Sequence, residues 1–160
     1  MPAPTLSPAA RALGRVPTGL YIVTAEAAGS PVGFVGSFVM QVGFEPPTLC
    51  VAIANDRAQL AHVRESGHFG VSVLDARTEG VMNRFFRRTA TGKGPFDGLA
   101  WSRAKHGSPV LDDALAWLEC RMLGEHATGD HVVVFGEVVD AKLVREGEPS
   151  IRLRANGLAY

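Results

Sequence analysis

The chain has 160 residues, 46% of them hydrophobic and 20% charged, a globular composition that excludes wholesale disorder and a coiled coil. Its 16 Lys and Arg balance 16 Asp and Glu. A zero formal charge argues against broad capture of nucleic acid or acidic membrane, which needs positive excess, and leaves only a local basic patch open. The length suits one domain spanning residues 1–160, and 18 Gly with 10 Pro favour a strand-rich fold over a helix bundle.

Residues 1–6 carry no charged start and apolar run, so no signal peptide is expected and these residues read as disordered. Ser7 before Pro8 is a helix start, and Gly14 and Pro17 end it. Leu20 to Thr24 is β-branched and aromatic and reads as a strand. Ala28-Gly29-Ser30-Pro31 is a turn. Val32 to Val42 is extended but punctuated by Gly33 and Gly36, and Glu45-Pro46-Pro47 breaks it. Thr48 to Ala54 is continuously apolar, a strand expected to be buried on both faces.

Asn55 or Asp56 can cap a helix running to about Glu65. Phe69 to Leu74 is the next strand, and Thr78 to Phe86 a helix with Val81, Met82, Phe85 and Phe86 at helical spacing. Arg87 to Gly98 is a basic loop. Ala114 to Glu125 alternates like a strand, although period alone leaves a helix open. Gly129-Asp130 is a turn, Val132 to Val139 a long strand and Ile151 to Arg154 a short one. Strands at short intervals with few helices between them exclude a doubly wound parallel sheet. They predict a mainly β, antiparallel barrel of six or seven strands with two or three peripheral helices. Leu20, Ile22, Val51, Ile53, Val71, Val73, Leu118, Val133 and Phe135 are its expected core.

Catalytic motifs are sparse. No Gly-x-Gly-x-x-Gly follows a strand, no Gly-x-Ser-x-Gly is present, and the Gly92-Lys93-Gly94 run lacks phosphate-loop spacing. The five His show no metal-ligand spacing, and Cys50 and Cys120 read as buried, reduced thiols of a cytoplasmic protein, so no metal site is expected. Two constellations remain. In Val35-Gly36-Ser37-Phe38-Val39-Met40-Gln41 a strand glycine is followed by hydroxyl, aromatic and amide side chains. It marks either close approach of a ligand or a bulged edge strand. Asn55-Asp56-Arg57-Ala58 joins a strand end to a helix start. Amides there with one arginine can hold a phosphate, and a capped helix with a solvated arginine is the other reading.

Taken with Thr18 to Ala25, Phe44-Glu45-Pro46-Pro47, Phe96-Asp97-Gly98, Trp117-Leu118-Glu119-Cys120, Gly129-Asp130-His131, Gly136-Glu137-Val138 and Asn156 to Tyr160, these segments resemble the flavin reductase-like family. Within it the chain is most similar to small stand-alone proteins related to the flavin reductase domain of some flavodiiron proteins. The resemblance covers about residues 9 to 160 and implies an FMN-binding split barrel, with FAD as the other candidate flavin. It implies a homodimer with the flavin near the subunit interface. By the same resemblance Val35 to Gln41 would address the flavin ring, and Asn55 to Ala58 its phosphate. Lys93 would supply a phosphate-side cation, and His131 would lie near flavin and nicotinamide in a catalytic role. Many members carry Ser-Ser-Phe-Thr-Ser where this chain has Ser37 to Gln41, and Ser or Thr where it has Asp56-Arg57-Ala58. Arg57 must then carry more of the phosphate charge.

The activity so implied is hydride transfer from NADH or NADPH to flavin N5, with electrons passed on as reduced flavin or to a partner oxygenase or redox protein. Neither nucleic acid nor membrane is an expected partner. An electron-transfer flavoprotein with tightly held FMN and no nicotinamide step, and a non-catalytic flavin-binding barrel, are the competing expectations.

Overall fold

The computed structural model describes residues 5–86 and 93–159. The expected disorder of residues 1–4, and residues 87–92 of the basic loop, lie outside the described residues. Helix α1 (Pro8–Leu13) begins as the sequence dictates: the Ser7 hydroxyl accepts the Ala10 amide at 3.1 Å, and Gly14 caps the other end. Strand β1 (Thr18–Gly19) precedes β2 (Tyr21–Ala27), which turns at Ala28 and Gly29 into β3 (Ser30–Gly36). Positive φ at both turn residues (49° and 88°) matches the twist of the flanking strands.

The punctuated segment 32–42 becomes two strands, because Ser37 and Phe38 interrupt it before β4 (Val39–Phe44). After β4 come β5 (Pro47–Ala54), α2 (Gln59–Ser66) and β6 (His68–Val73). The helix expected over 78–86 divides into a 3-10 turn (Glu79–Val81) and a short α3 (Met82–Phe86). Then follow β7 (Trp101–Arg103), β8 (Pro109–Leu111), β9 (Ala116–Ala127), β10 (His131–Leu143) and β11 (Ile151–Arg152). The ambiguous 114–125 segment is a strand because β6 and β10 pair with it on either side. β1, β7 and β8 escape sequence reading: two or three residues cannot display a period of two.

Seven strands form one antiparallel sheet in the order β3-β2-β6-β9-β10-β5-β4. Its two end strands, β3 and β4, are consecutive in the chain and only Ser37 and Phe38 separate them. A sheet whose opposite edges are joined by two residues must roll up, which makes the split barrel. The Ala52 amide donates to the Phe38 carbonyl at 3.0 Å and fastens this link to β5.

Leu20, Ile22, Val51, Ile53 and Val71 are buried as expected. Val73 and Leu118 are half-buried, Leu118 packing against the main core cluster. Val133 and Phe135 are corrections: β10 buries Val132 and Val134 instead, and the expected pair lies on the opposite face. Likewise β5 is not buried on both faces. Val51 and Ile53 point inward, while Cys50, Ala52 and Ala54 are half-buried on the other side.

One carboxylate lies inside this core. Glu119 is completely buried on β9 and accepts the His106 amide at 2.8 Å, the Ser108 amide at 2.9 Å and His106 Nδ1 at 3.2 Å. It thereby ties the turn before β8 to the sheet. Burial pushes its pKa up, but the hydrogen bonds from Ser108 and His106 outweigh that and hold it below the ordinary 4.5. Next to it, the Cys120 thiol is pushed up to about 12, first by burial and then by the Glu119 charge, so it stays neutral.

A carboxyl whose folded pKa is lowered contributes stability above its ordinary value, and that contribution disappears as pH falls through the lowered one. Glu119→Gln should cost roughly 1.5–3 kcal/mol at neutral pH, the worth of one hydrogen bond to a charged group. In urea unfolding, the gap between wild type and variant should narrow as the pH is taken below 4.5.

Candidate functional site

The link between β3 and β4 sits at one end of the barrel. There the Phe38 ring meets the edge of His131, with ring centroids 5.8 Å apart and planes at 69°. The Arg154 guanidinium lies 4.7 Å from the same ring. His131 opens β10 directly opposite Ala54, the last residue of β5. Its Nδ1 is 2.9 Å from the Asp130 carboxylate, and this contact lowers the Asp130 pKa below its ordinary 3.8. Asn55 joins the two strand ends: its amide donates to Asp130 O at 2.9 Å and its Nδ2 to Gly129 O at 2.7 Å.

That bond changes the expected role of Asn55. Neither it nor Asp56 caps α2. The N-cap is Ala58, in helical conformation and without a side-chain bond; the Leu60 and Ala61 amides donate to the Arg57 and Ala58 carbonyls at 3.1 Å, and the Ala58 and Gln59 amides stand at the open end. Gln59 Nε2 donates to Gly33 O at 3.1 Å and holds this helix start against β3. The Arg57 guanidinium lies 5.0 Å over the ring of Phe34, which is buried on β3. Asp56 is exposed beside it.

The fold therefore brings Gly36, Ser37, Phe38, Asn55, Arg57, Ala58 and His131 to one end. The other candidates diverge. Val35 packs on the second core cluster and Val39 on the first. Met40 is 62% exposed farther along β4. The Gln41 side chain donates to Gly43 O at 3.2 Å, on its own strand. Lys93 is exposed, with no described contact to the cluster. Gly36 is explained by packing: a Cβ there would stand 2.8 Å from Val23 Cγ2, so its close neighbour is β2.

Sequence reasoning missed Phe34 and Arg154. Arg154 closes the alternating run Ile151-Arg152-Leu153-Arg154, and that alternation was the one available signal. Its Nε is buried with no hydrogen-bond partner, an uncommon state for a cationic group. Several arginines form ion pairs. Arg64, Arg103, Arg121, Arg145 and Arg152 pair with Glu125, Glu26, Glu137, Asp75 and Glu79. Among the described residues, Arg11, Arg15, Arg57, Arg77, Arg84 and Arg154 make no ion pair, and contacts connect Arg15, through Arg154, to Phe38. An aromatic face, an uncapped helix start and unneutralised arginines fit an aromatic ligand bearing phosphate. No group of three metal-binding side chains occurs among the described residues, and no helix there is long and apolar enough to cross a membrane.

The family described as "Flavin reductase like domain" matches residues 13–158. Diflavin flavoprotein A 1 of Synechocystis is 33% identical over 152 residues, covering 94% of this chain but 26% of that protein. The chain thus spans about a quarter of that relative's length. Among solved structures, a homologue of nitrilotriacetate monooxygenase component B from Mycobacterium thermoresistibile superimposes with a TM-score of 0.83 at 31% identity, covering 91% of this chain and 80% of that one. The NADH:FAD oxidoreductase of Streptomyces globisporus C-1027 gives a TM-score of 0.82 at 27% identity, covering 96% and 95%.

Proposed function

The chain belongs to the flavin reductase-like family of oxidoreductases, and from that premise we propose that it is an NAD(P)H-dependent flavin oxidoreductase working with FMN. The observations that support this reading are the contact of Phe38 with His131 and the placing of Arg57 over Phe34 at the start of α2, which follows the end of β5 opposite His131. Bound flavin supplies the redox chemistry, taking hydride from a reduced nicotinamide. The residues of this chain bind and orient. Arg57, steadied on Phe34, and the α2 amides hold the phosphate, and exposed Lys93 adds a weaker, more distant charge. The link at Gly36, Ser37 and Phe38 would face the ring, and backbone donors there would stabilise negative charge arriving on it. His131, anchored by Asp130, orients the nicotinamide against the flavin face so that the two rings meet in reactive geometry.

Reduced flavin, or its electrons, then goes to a partner oxygenase or redox protein, in keeping with the monooxygenase component among the structural neighbours. The protein works in the cytoplasm, where the free thiols Cys50 and Cys120 would stay reduced. It acts as a homodimer. Met40 is 62% and Phe44 90% exposed on β4, and the outer face of β10 carries half-buried Val133 and Phe135, an apolar area that a second copy would cover. Light scattering should give twice the chain mass, and a monomer with flavin bound would defeat the dimer.

Arg57→Ala should weaken FMN binding by about 10- to 100-fold, corresponding to roughly 1.5–3 kcal/mol for a lost arginine–phosphate bond, and leave riboflavin binding nearly unchanged. Equal loss for both ligands, measured by flavin fluorescence, would show that Arg57 acts through folding. Lys93→Ala should follow the same pattern more weakly.

Anaerobic mixing of FMN-loaded protein with NADH and with NADPH, following flavin bleaching, tests the activity itself. His131→Ala should slow bleaching or raise the nicotinamide KM while FMN stays bound and the melting temperature barely moves. Unchanged reduction kinetics with both reductants would remove His131 from the reaction.

A further inference from the structure

Residues 1–25 and 149–160 carry Arg11, Arg15, Arg152 and Arg154 and no acidic side chain, in a chain whose charges otherwise balance. The fold packs these two stretches together. β1 pairs with β11, the Gly157 amide donates to Ala10 O at 2.8 Å, and Arg15 Nη2 donates to Arg154 O at 3.1 Å. A Cβ at Gly157 would strike Leu13, so only glycine lets the two stretches approach this closely. Glu79 reaches across to Arg152, but Arg11, Arg15 and Arg154 make no ion pair among the described residues.

An open groove of about 1100 Å³ lies where α1 meets Ala155. Leu6, Pro8, Ala12 and Ala155 give it apolar walls, Arg11 and Arg15 also line it, and no carboxylate does. Leu13, Val16, Ile151, Leu153 and Leu158 on the same stretches are five of the eleven large hydrophobic side chains that the described surface exposes, so apolar exposure and unpaired positive charge coincide here. A surface with both properties is complemented by a partner that is apolar and anionic at once. The groove is larger and more open than the pockets of roughly 300–1000 Å³ that enclose small molecules. Its concavity suits an inserted chain segment, whereas a flat bilayer would rest on the rim and leave the walls uncovered. Guanidinium groups match carboxylates in shape, and the one bond of Arg15 leaves most of its donors for another acceptor.

We propose that this groove docks an acidic segment of a partner protein, with apolar side chains of that segment against Leu6, Pro8, Ala12 and Ala155 and its carboxylates on Arg11 and Arg15. Docking of this kind needs neither flavin nor nicotinamide, so it goes beyond the proposed activity and does not depend on it. It would hold the partner beside the end of the barrel where Phe38 meets His131, because Arg15 bonds the carbonyl of Arg154 and the Arg154 guanidinium lies over Phe38.

Selection from a phage-displayed library of random dodecapeptides, against the full chain with FMN in excess, tests the docking. Enriched peptides should combine two or more Asp or Glu with Leu, Ile or Phe. In fluorescence anisotropy, Arg11→Ala and Arg15→Ala should each weaken an enriched peptide by about two- to fivefold, the worth of an exposed ion pair. Added salt should weaken it further. The Arg11→Glu/Arg15→Glu variant, its fold checked by circular dichroism, should lose that peptide and bind a version in which Lys replaces each acidic residue. No enrichment, enrichment without acidic residues, or equal binding by wild type and the charge-reversed variant would overturn the proposal. Displacement of the peptide by ADP would make the groove a nucleotide site. Binding to phosphatidylserine vesicles but not to phosphatidylcholine vesicles, lost in the same variant, would make it a membrane contact. Either result would also overturn the proposal. Peptide binding as expected, in a protein that oxidises neither NADH nor NADPH, would sink the proposed activity alone and leave the docking groove standing.

Discussion

The two-residue connection between β3 and β4 is the constraint from which the architecture follows. Those strands are opposite edges of a seven-stranded antiparallel sheet, and Ser37 and Phe38 alone join them. The chain cannot satisfy both that connection and the intervening ladder in a flat sheet, so the sheet closes around Val23, Val51, Ile53, Phe69, Val71 and Val134. Closure also fixes where function can reside. At the link, two residues leave the strands, while Phe38 stays pinned through Ala52 and faces His131 from the far side of the chain. A rigid scaffold thereby presents irregular backbone at a defined place, which is how loops usually acquire binding roles.

Electrostatics follow the same division. Away from the link several arginines pair with carboxylates, as Arg121 does with Glu137 on the neighbouring strand and half-buried Arg145 with buried Asp75 at 2.6 Å. Hydrogen bonding of Asp75 by Arg145 and Thr78 overcomes its desolvation and keeps its pKa below the ordinary 3.8. Glu119 does the comparable work in the core by holding the turn that precedes β8. Near the link the arginines are instead set over aromatic rings or along a groove.

Much of the local structure was legible. Ser7 and Pro8 announced α1, Ala28-Gly29 announced the hairpin, and β-branched runs announced β2, β5, β6 and β10. The site was legible in pieces: Asn55 to Ala58 as a strand-to-helix junction, Gly129-Asp130 as a turn, and Val35 to Gln41 as an irregular strand. Individual roles were less so. Asn55 reads as a cap in sequence, yet its carboxamide bonds Gly129, a partner far along the chain that no local rule identifies.

The sequence by itself determined most of the element types and the antiparallel barrel class, because capping, turn chemistry and period-two alternation are local, and the order of its segments carried the family resemblance. Tertiary structure decided which face of each strand is inside. In β10 both parities are apolar, so Val133 and Phe135 were as plausible a core as Val132 and Val134 until pairing with β5 and β9 set the inward face. Tertiary structure also decided that Phe38, His131 and Arg154 would meet, and that Arg11 and Arg15 would border a groove with Ala155. Those contacts join segments distant in the chain, and their proximity exists only once the rolled sheet brings its edges together.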